Sequence, residues 1–327
     1  MPLISVLIPV YNGEKTIRET IQSILDQTFQ DFEIIAIDDG STDSTVEIIN
    51  QFQDDRIKVF SFANSGPNAS RNRSLDRATG EYVSFIDADD LWTPNKLESQ
   101  LKALQDFPKA AVAYSWTDHI DRNGQFLYPG PHYSFTGDVF AKLLLADFIN
   151  SGSNPLIRKS AFVKAGRFDE PLEGGQDWDM WLRLAKHYPF AVVPAVQVFH
   201  RESPTSWSAN TRRQEIGFNK VIAKALADAP ESVQKLRRDI IGNRYKSLLV
   251  DALSKRPDRD RSLLAIRYLG IVLKHDPYLL RSRILPVLVL AIGIRLLLPS
   301  QQARMLLNRY SDFFDINRIF GYTRWST

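Results

Sequence analysis

The chain has 327 residues, of which 44% are hydrophobic and 24% are charged, and its formal net charge is +3. This length and composition suit one full α/β domain and a smaller appendage. Because the chain contains no cysteine, disulfide bonds and thiolate metal sites are excluded, and nothing in the composition indicates an oxidising compartment.

The first predicted element is a buried β-strand at residues 4–8, which leads into a polar turn formed by Pro9, Val10, Tyr11 and Asn12. No basic segment precedes this apolar run, so it is typical of a strand and not of a signal peptide. We therefore expect a cytoplasmic protein.

Helices and strands alternate after this turn. Apolar residues recur at helical spacing over residues 17–25, an apolar strand follows at 32–37, and a second helical stripe follows Ser44. Another apolar strand occupies residues 82–86. The alternation predicts an α/β fold with a parallel sheet and right-handed crossovers, so the polar turns after the three strands should lie on one edge.

The strand at 82–86 ends in three carboxylates, Asp87, Asp89 and Asp90. Ligands of open α/β sheets collect at the carboxyl ends of strands, and hard cations such as Mg²⁺ take carboxylate and phosphate oxygens together. If the chain stays extended, Asp87 and Asp89 point the same way, and a diphosphate could share the ion. The alternative is an acidic loop that caps a helix beginning near Thr93.

Six short motifs follow one another along the first 200 or so residues, and their order and spacing are more specific than any single motif. They are PVYN at 9–12, QTF at 27–29, DDGSTD at 38–43, GPNASRN at 66–72, DAD at 87–89 and DWD at 177–179. With these motifs the chain resembles the family 2 glycosyltransferases. The resemblance implies a GT-A fold, with a Rossmann-like, mostly parallel central sheet flanked by helices over residues 1–204, and leaves residues 205–327 as a helical C-terminal region.

A nucleotide-diphosphate sugar is the donor that the resemblance implies, with a uracil-like base. Asp39 would accept the base N–H, Tyr11 would pack on the ring, Arg71 would reach the base or the diphosphate, and Asp87 would lie beside the ribose. The donor site implied by the resemblance consists of Pro9, Tyr11, Asn12, Asp39, Arg71 and Asp87.

The same resemblance implies a divalent metal, Mn²⁺ or Mg²⁺, at Asp89, with His200 near the diphosphate as a further ligand. Such a metal neutralises the departing diphosphate without proton transfer. Asp177 matches the family's catalytic base, which deprotonates the acceptor on the face opposite the leaving group, as in inverting glycoside hydrolysis. The alternatives are that Asp177 caps the helix at 178–187 and that His200 is an ordinary hydrogen-bonded residue.

We assign Trp178 to the acceptor side, together with Asn154, which lies in a small polar run with Gly152 and Ser153. Processive synthases of the family carry Gln-x-x-Arg-Trp after the base, and this chain has Trp-Leu-Arg at 181–183 instead, which predicts a single-addition enzyme. We expect a saccharide or lipid-linked acceptor, in the synthesis of polysaccharide, lipopolysaccharide or glycolipid.

Charge divides the chain into two parts. Residues 1–204 hold 19 Lys and Arg against 28 Asp and Glu, whereas residues 205–327 hold 22 against 10. This asymmetry suggests an anionic partner for the basic part. Its composition predicts successive helices at 214–227, 232–254, 261–274 and 282–298.

The apolar run at 284–298 contains Pro286 and Arg295, and it is too short and too charged for a spanning helix of ~20 apolar residues. With arginines around it, the run could lie in the headgroup plane of an anionic membrane, which predicts a peripheral protein on the inner face of the membrane. The alternative is a buried helix of a C-terminal bundle. Because a DNA-binding signature is missing, nucleic acid is not an expected partner.

Two other functions fit parts of the pattern. A catalytically silent module for nucleotide sugars or polysaccharide is one, but the joint presence of Asp39, Asp87, Asp89 and Asp177 favours an enzyme. A nucleotidyltransferase is the other, but residues 9–16 lack the Gly-rich basic loop that binds a triphosphate. The absence of Gly-x-Gly-x-x-Gly and of a Walker loop disfavours a dehydrogenase or an ordinary kinase.

Overall fold

The computed structural model describes residues 1–203, 210–255 and 257–325. The chain divides into an N-terminal unit, Met1–Phe140 with Asp147–Ala209, and a C-terminal unit, Ala141–Ala146 with Asn210–Thr327. The boundary predicted between residues 204 and 205 lies outside the described residues. The short helix Phe140–Leu145 crosses the division between residues 140 and 141, and most of its length belongs to the C-terminal unit.

The N-terminal unit is built on one nine-stranded mixed sheet, with the strand order β3-β2-β1-β4-β8-β6-β9-β5 and β7 paired to β6. Its strands are β1 Ile4–Val10, β2 Phe32–Asp38, β3 Ile57–Ser61, β4 Tyr82–Phe85, β5 Leu91–Trp92, β6 Val112–Ile120, β7 Phe126–Pro129, β8 Leu156–Arg158 and β9 Phe190–Arg201. The helices in chain order are α1 Ile17–Leu25, α2 Thr45–Asn50, α3 Pro67–Arg77, α4 Lys96–Asp106, α5 Phe140–Leu145, α6 Phe162–Ala165 and α7 Gln176–Ala185.

Parallel pairing brings the turns after β1, β2 and β4 to one edge of the sheet. The register of β1 and β2 opposes Val10 to Asp38, and that of β1 and β4 opposes Leu7 to Phe85. Every residue of β1 and β2 is buried, as expected for strands covered on both faces. The predicted α/β fold with its mostly parallel sheet is therefore confirmed.

Helix α1 holds this edge by its apolar stripe. Ile17, Ile21 and Ile24 are completely buried against the sheet core. Burying one such side chain contributes ~1.5–3 kcal/mol relative to leaving it in water. The stripe therefore fixes the turn between β1 and α1 firmly in place.

The acidic segment after β4 differs from the extended chain assumed above. The strand ends at Phe85, and the chain then turns, with the Asp90 N–H donating to the carbonyl of Asp87 at 3.1 Å. After the turn, Leu91 and Trp92 form β5, which runs antiparallel to β9. Simple alternation of side chains therefore does not hold over residues 87–90, and Asp90 is carried into the interior.

The C-terminal unit is helical, as predicted. Its core gathers Leu249, Tyr268, Val272 and Leu288, all almost fully buried. Besides α5, its helices are α8 Thr211–Ala227, α9 Glu231–Gln234, α10 Arg237–Ser254, α11 Arg259–His275, α12 Ile284–Leu297 and α13 Ser300–Arg309. The helix predicted at 232–254 is thus divided into α9 and α10.

Helix α12 is buried on one side only. Ile284, Leu288 and Ile292 pack into the core, whereas Val289 and Leu290 remain about half exposed. None of the helices described in residues 1–203, 210–255 and 257–325 combines the length and the apolar character needed to cross a membrane. The apolar run predicted at 284–298 is therefore partly core and partly surface.

Candidate active site

The turns after β1 and β2 are joined by hydrogen bonds into one floor. The Asn12 N–H donates to Ser41 Oγ at 2.9 Å, and Asn12 Oδ1 accepts from the Thr42 N–H at 2.8 Å. Asn12 has φ +52°, in the left-handed region that asparagine tolerates better than most residues. Tyr11 beside it is 54% exposed, whereas Pro9 is buried within β1. Of these predicted donor residues, Tyr11 therefore offers a free ring face.

Asp39 fixes the loop that enters α3. Its two carboxylate oxygens accept the N–H groups of Ser65 and Gly66 at 3.0 and 2.8 Å, and Arg73 lies 3.3 Å away. Gly66 has φ +90°, which a residue with a side chain would adopt only with strain. Oδ1 accepts from both the Ser65 N–H and Arg73 Nη1, whereas Oδ2 accepts only from the Gly66 N–H, so Oδ2 retains capacity to accept a further hydrogen bond.

Arg71 brings together residues from three distant segments. It extends from α3 with 5% of the residue exposed, and its Nη2 lies 2.8 Å from Asp87 Oδ1. Its Nη1 lies 3.5 Å from Asp177 Oδ1 on α7. Burial alone would lower the pKa of the Arg71 guanidinium, but the two carboxylates raise it above its ordinary value. Arg71 is therefore a permanent cation between two of the predicted site carboxylates.

Asp177 lies in the first turn of α7, but it does not cap the helix. The cap position is occupied by Gly175, so the predicted alternative of a helix cap is not what the structure has. Asp177 Oδ1 is buried and accepts no hydrogen bond within the described residues. Burial raises the pKa of Asp177 to about 6 although Arg71 opposes this rise, and Asp87 adds to it. The carboxylate has the properties of a general base poised near neutral pH.

Gly152 leaves space for the Asp177 carboxylate. A Cβ atom at Gly152 would lie 2.9 Å from Asp177 Oδ2 and 3.0 Å from its Cγ. Real Cβ atoms essentially never approach other heavy atoms under 3.0 Å, so a larger residue here would push Asp177 aside. In the sequence Gly152 stands out only as part of a polar run, and no local pattern signals this packing requirement.

Asp90 is fully buried and fully engaged. Its carboxylate accepts from Ser153 Oγ at 2.5 Å and from the Arg201 N–H at 2.9 Å, and it lies 3.1 Å from His200 Nδ1. Although burial raises the pKa of Asp90, the ion pair with His200 and these hydrogen bonds hold it below its ordinary value. Asp90 thus joins the acidic turn to the end of β9 and is not available to a ligand.

Asp89 is the carboxylate that needs a counter-ion. Burial, followed by the charges of Asp90 and Asp87, raises the pKa of Asp89 to about 7. No cluster of three or more His, Asp or Glu suited to a metal occurs in the part of the chain that the structure describes. A cation at Asp89 would therefore have to complete its coordination with oxygens of the diphosphate and water, which is how Mg²⁺ commonly binds in enzymes that use phosphate substrates.

His200 approaches the acidic turn through one ring nitrogen. Burial lowers the pKa of His200, but the charges of Asp90, Asp89 and Asp87 outweigh burial and raise it to about 10. Because Nδ1 faces Asp90, Nε2 is the nitrogen that remains for a metal, an arrangement common among metal-binding histidines. Without a metal the ring is an imidazolium, so ligation would require the loss of its proton.

The two residues assigned to the acceptor side are buried. Asn154 is completely inaccessible, and its amide bonds the backbone N–H and C=O of Ser115, each at 2.8 Å. Trp178 is 2% exposed. Both side chains support the site from behind, and neither offers a surface that an acceptor could touch, which corrects the expectation from the sequence.

An aromatic and acidic group next to His200 was missed by the sequence analysis. The rings of His119 and Tyr128 stack at 4.5 Å, and His119 meets His200 edge-on at 5.5 Å. Glu202 Oε1 lies 3.2 Å from His119 Nδ1 and also accepts from the Tyr128 hydroxyl. The pairing of β6 with β7 and β9 creates this group, and the aromatic residues of residues 126–133 are the only signal in the sequence.

Comparison with known proteins gives consistent matches. The model of the family described as "Glycosyltransferase like family 2" matches residues 5–248. An uncharacterized glycosyltransferase of Rickettsia typhi is 37% identical over 190 residues, which cover 57% of this chain and 59% of that protein. The putative teichuronic acid biosynthesis glycosyltransferase TuaG of Bacillus subtilis is 42% identical over 121 residues, which cover 36% of this chain and 47% of TuaG. The chain thus spans about half the length of these curated relatives.

A solved structure shares the fold. The crystal structure of S. aureus TarS 1-349 in complex with UDP-GlcNAc matches with a TM-score of 0.63 at 20% sequence identity, covering 99% of this chain and 93% of that one. At this level of identity the match concerns the fold, and it agrees with the mixed sheet and flanking helices described above.

Proposed function

The chain belongs to glycosyltransferase family 2, and from this premise we propose that it transfers a single sugar from a nucleotide-diphosphate donor to a saccharide or lipid-linked acceptor with inversion at the anomeric carbon. The observation that carries the proposal is the buried Asp177 oxygen without a hydrogen-bond partner among the described residues, next to the Arg71–Asp87 ion pair. A buried carboxylate oxygen without a hydrogen-bond partner destabilises the fold. A role as the proton acceptor of the reaction explains why this oxygen is kept unsatisfied.

The donor nucleotide binds at the edge formed by the first two turns. Tyr11 packs on the base, Asp39 accepts the base N–H, and Asp87 receives the ribose hydroxyls. Arg71, a permanent cation, attracts the diphosphate. We propose a UDP-linked donor, supported by the TarS structure with UDP-GlcNAc and by the capacity of Asp39 to accept further hydrogen bonds.

Asp177 acts as the general base. It takes the proton of the acceptor hydroxyl while the acceptor oxygen bonds to the anomeric carbon and the bond from that carbon to the diphosphate oxygen breaks. Attack from the face opposite the diphosphate inverts the configuration. A pKa of about 6 for Asp177 keeps the carboxylate mostly ionised and still basic at neutral pH.

Asp89 would hold a divalent cation, Mn²⁺ or Mg²⁺, with Nε2 of His200 as a further ligand. When bound, such a cation stabilises the negative charge that develops on the leaving diphosphate. The raised pKa of Asp89 supports this assignment, because burial and the charges of Asp90 and Asp87 outweigh the opposing charge of His200. Without a metal, the His200 imidazolium contributes its own positive charge at the same place.

We propose an acceptor used in the synthesis of a cell-surface polysaccharide or glycolipid. The support is the name of TuaG, which refers to teichuronic acid biosynthesis. Within the N-terminal unit, the stacked rings of His119 and Tyr128 are better placed for the acceptor than Asn154 or Trp178, because Tyr128 is 43% exposed and the cluster adjoins His200.

We propose that the C-terminal unit rests on an anionic membrane surface. Helix α12 exposes Val289 and Leu290, and arginines at 281 and 283 precede the helix. Apolar side chains next to arginines suit the boundary between acyl chains and anionic headgroups. This arrangement would bring the enzyme to a lipid-linked acceptor.

A panel of donors tests the proposed activity. Release of nucleoside diphosphate is measured with UDP-, GDP- and dTDP-sugars in the presence of Mn²⁺ and candidate acceptors, with Asp177→Asn as the control for background hydrolysis. Acceptor-dependent release by the wild type alone supports the transferase. Donor binding without release from any donor would favour the silent binding module, and release of pyrophosphate from a nucleoside triphosphate would favour a nucleotidyltransferase.

A further inference from the structure

We propose that the C-terminal unit contains a binding pocket for a phosphate group, separate from the donor site. The pocket lies beside the carboxyl end of α10 and has a volume of about 290 Å³. Three cationic side chains line it, those of Lys255, Arg295 and Arg304, together with the amide of Asn308. No residue of this pocket takes part in the proposed glycosyl transfer.

Arg295 is a half-buried cation that lines the pocket. Its Nη1 donates to the carbonyl of Lys255 at 3.1 Å, and its Nη2 donates to the carbonyl of Leu253. Its Nε is buried and has no hydrogen-bond partner in the described part of the chain. Burial lowers the pKa of Arg295 to about 10, the charge of Asp258 opposes this, and the charge of Arg261 adds to it.

A structural role accounts for only part of this arrangement. The Leu253 carbonyl belongs to the last turn of α10 and Lys255 is the residue that ends the helix, so Arg295 caps α10, as basic side chains often do. A guanidinium carries five N–H groups, however, and the cap uses two. The buried Nε–H remains unsatisfied, and no carboxylate forms an ion pair with Arg295 among residues 1–203, 210–255 and 257–325.

Arg304 adds an uncompensated charge. It is exposed on α13 and makes no hydrogen bond or ion pair with any residue that the structure describes. Lys255, by contrast, is paired with Asp251 at 2.6 Å. Two guanidinium groups thus share the pocket without a matching carboxylate, which is an environment that attracts an anion.

A phosphate group is the anion that this chemistry selects. Guanidinium groups match phosphate oxygens with paired, charge-assisted hydrogen bonds, and two arginines can satisfy one dianion. The cavity is larger than a single phosphate, so a phosphate ester fits. The ester could come from a free phosphate compound or from a lipid headgroup, and α12 and α13 also expose Leu297 and Met305.

The first experiment uses the full-length protein with inorganic phosphate at constant ionic strength. Binding is followed by the ¹⁵N–¹H signal of Arg295 Nε, with Arg304→Ala as the test variant and Arg237→Ala as the matched control. Arg237 is also an exposed arginine of the C-terminal unit, but it does not line the pocket and lies outside α12 and the arginines that precede it. We expect phosphate to move the Arg295 signal, and we expect Arg304→Ala to weaken this binding about 10-fold, because charge-assisted hydrogen bonds are lost.

Two further measurements keep the result interpretable. Arg295→Lys preserves the charge but removes the planar set of guanidinium N–H donors, so it should also weaken phosphate binding. The melting temperature of this variant shows whether it still folds. Vesicles of phosphatidylcholine with or without phosphatidic acid distinguish the sources. Displacement of inorganic phosphate by the phosphatidic acid vesicles identifies a lipid headgroup as ligand, and lack of displacement identifies a free phosphate compound.

The proposal is overturned if phosphate leaves the Arg295 Nε signal unmoved in the folded wild type, or if Arg237→Ala weakens the binding as much as Arg304→Ala. Donor turnover is measured in parallel with both variants. Because the pocket lies outside the donor site, loss of phosphate binding with normal turnover separates this inference from the proposed glycosyl transfer.

Discussion

Arg71 Nη1 and Asp177 Oδ1 lie 3.5 Å apart, joining α3 to α7 across the edge of the sheet. The separation is too long for a strong hydrogen bond, so the carboxylate is attracted to the cation without being consumed by it. Because Arg71 does not engage the Asp177 oxygen in a strong hydrogen bond, the carboxylate stays basic. The next two predictions depend on this property.

Asp177→Asn should lower kcat by ~10²-fold or more and leave the affinity for the donor nearly unchanged, because an amide cannot accept the proton of the acceptor. Steady-state kinetics and donor calorimetry measure the two effects. Asp179→Asn is the matched control on the same helix, since Asp179 is paired with Arg183 at 2.7 Å and should affect the melting temperature more than kcat. Normal turnover of Asp177→Asn would show that another carboxylate is the base.

The pH dependence of kcat/KM should show an acidic limb at about pH 6. The pKa of Asp177 is raised to about 6 and the base must be ionised, so protonation of Asp177 alone lowers activity about 10-fold for each pH unit below that value. Asp89, whose pKa is raised to about 7, must also lose its proton to hold a cation. Increasing Mn²⁺ should shift the Asp89 limb to lower pH and leave the limb of Asp177 in place. A single limb near pH 4 would contradict the assigned base.

Gly152→Ala should lower kcat about 10-fold or more, because its Cβ would displace the Asp177 carboxylate and small misplacements of catalytic groups are costly. The melting temperature should change much less than the rate. Gly270→Ala serves as control, since a Cβ there meets no atom within 4 Å in α11 and should stabilise the helix by up to about 1 kcal/mol. Full activity in Gly152→Ala would mean that Asp177 can move without consequence.

Asp89→Ala should remove the effect of Mn²⁺ on donor binding, reducing the affinity measured with the metal by about 10-fold or more. Calorimetry with and without Mn²⁺ checks this. Asp90→Ala should behave differently, since Asp90 is buried and bonded to Ser153 and Arg201, and its loss should destabilise the fold. Equal Mn²⁺-dependent affinity for the donor in Asp89→Ala and in the wild type would show that Asp89 does not bind the metal.

Membrane binding should be weakened by replacing the exposed residues of α12. Val289→Ser with Leu290→Ser should reduce flotation with anionic liposomes, and binding should also weaken at high salt because its Coulombic part is screened. Leu263→Ser, at an exposed position of α11, is the control. Truncation before α12 is unsuitable because Leu288 lies in the core. If the wild-type protein stays in solution with every liposome, α12 does not bind membranes and is an ordinary helix of the C-terminal bundle.

The sheet was predictable because β1 and β2 are uninterrupted apolar runs, and such runs between helical stripes admit few arrangements. The turn at 87–90 was not, because its shape depends on Ser153 and Arg201, which lie far away in the sequence. For the same reason Asp90 could not be separated from Asp89 by pattern alone. Burial of Asn154 likewise follows from the pairing of β6 and β8, which no local motif reveals.

The contact between the Arg201 N–H and Asp90 has a consequence for the motion of the site. This amide is buried, and it can exchange its hydrogen with solvent only when the acidic turn separates from the end of β9. The exchange rate of this amide hydrogen therefore measures how often the acidic turn separates from the end of β9, and the measurement requires no substrate, metal or label. The frequency with which the turn opens can therefore be measured at this one amide, separately from any opening of the rest of the sheet.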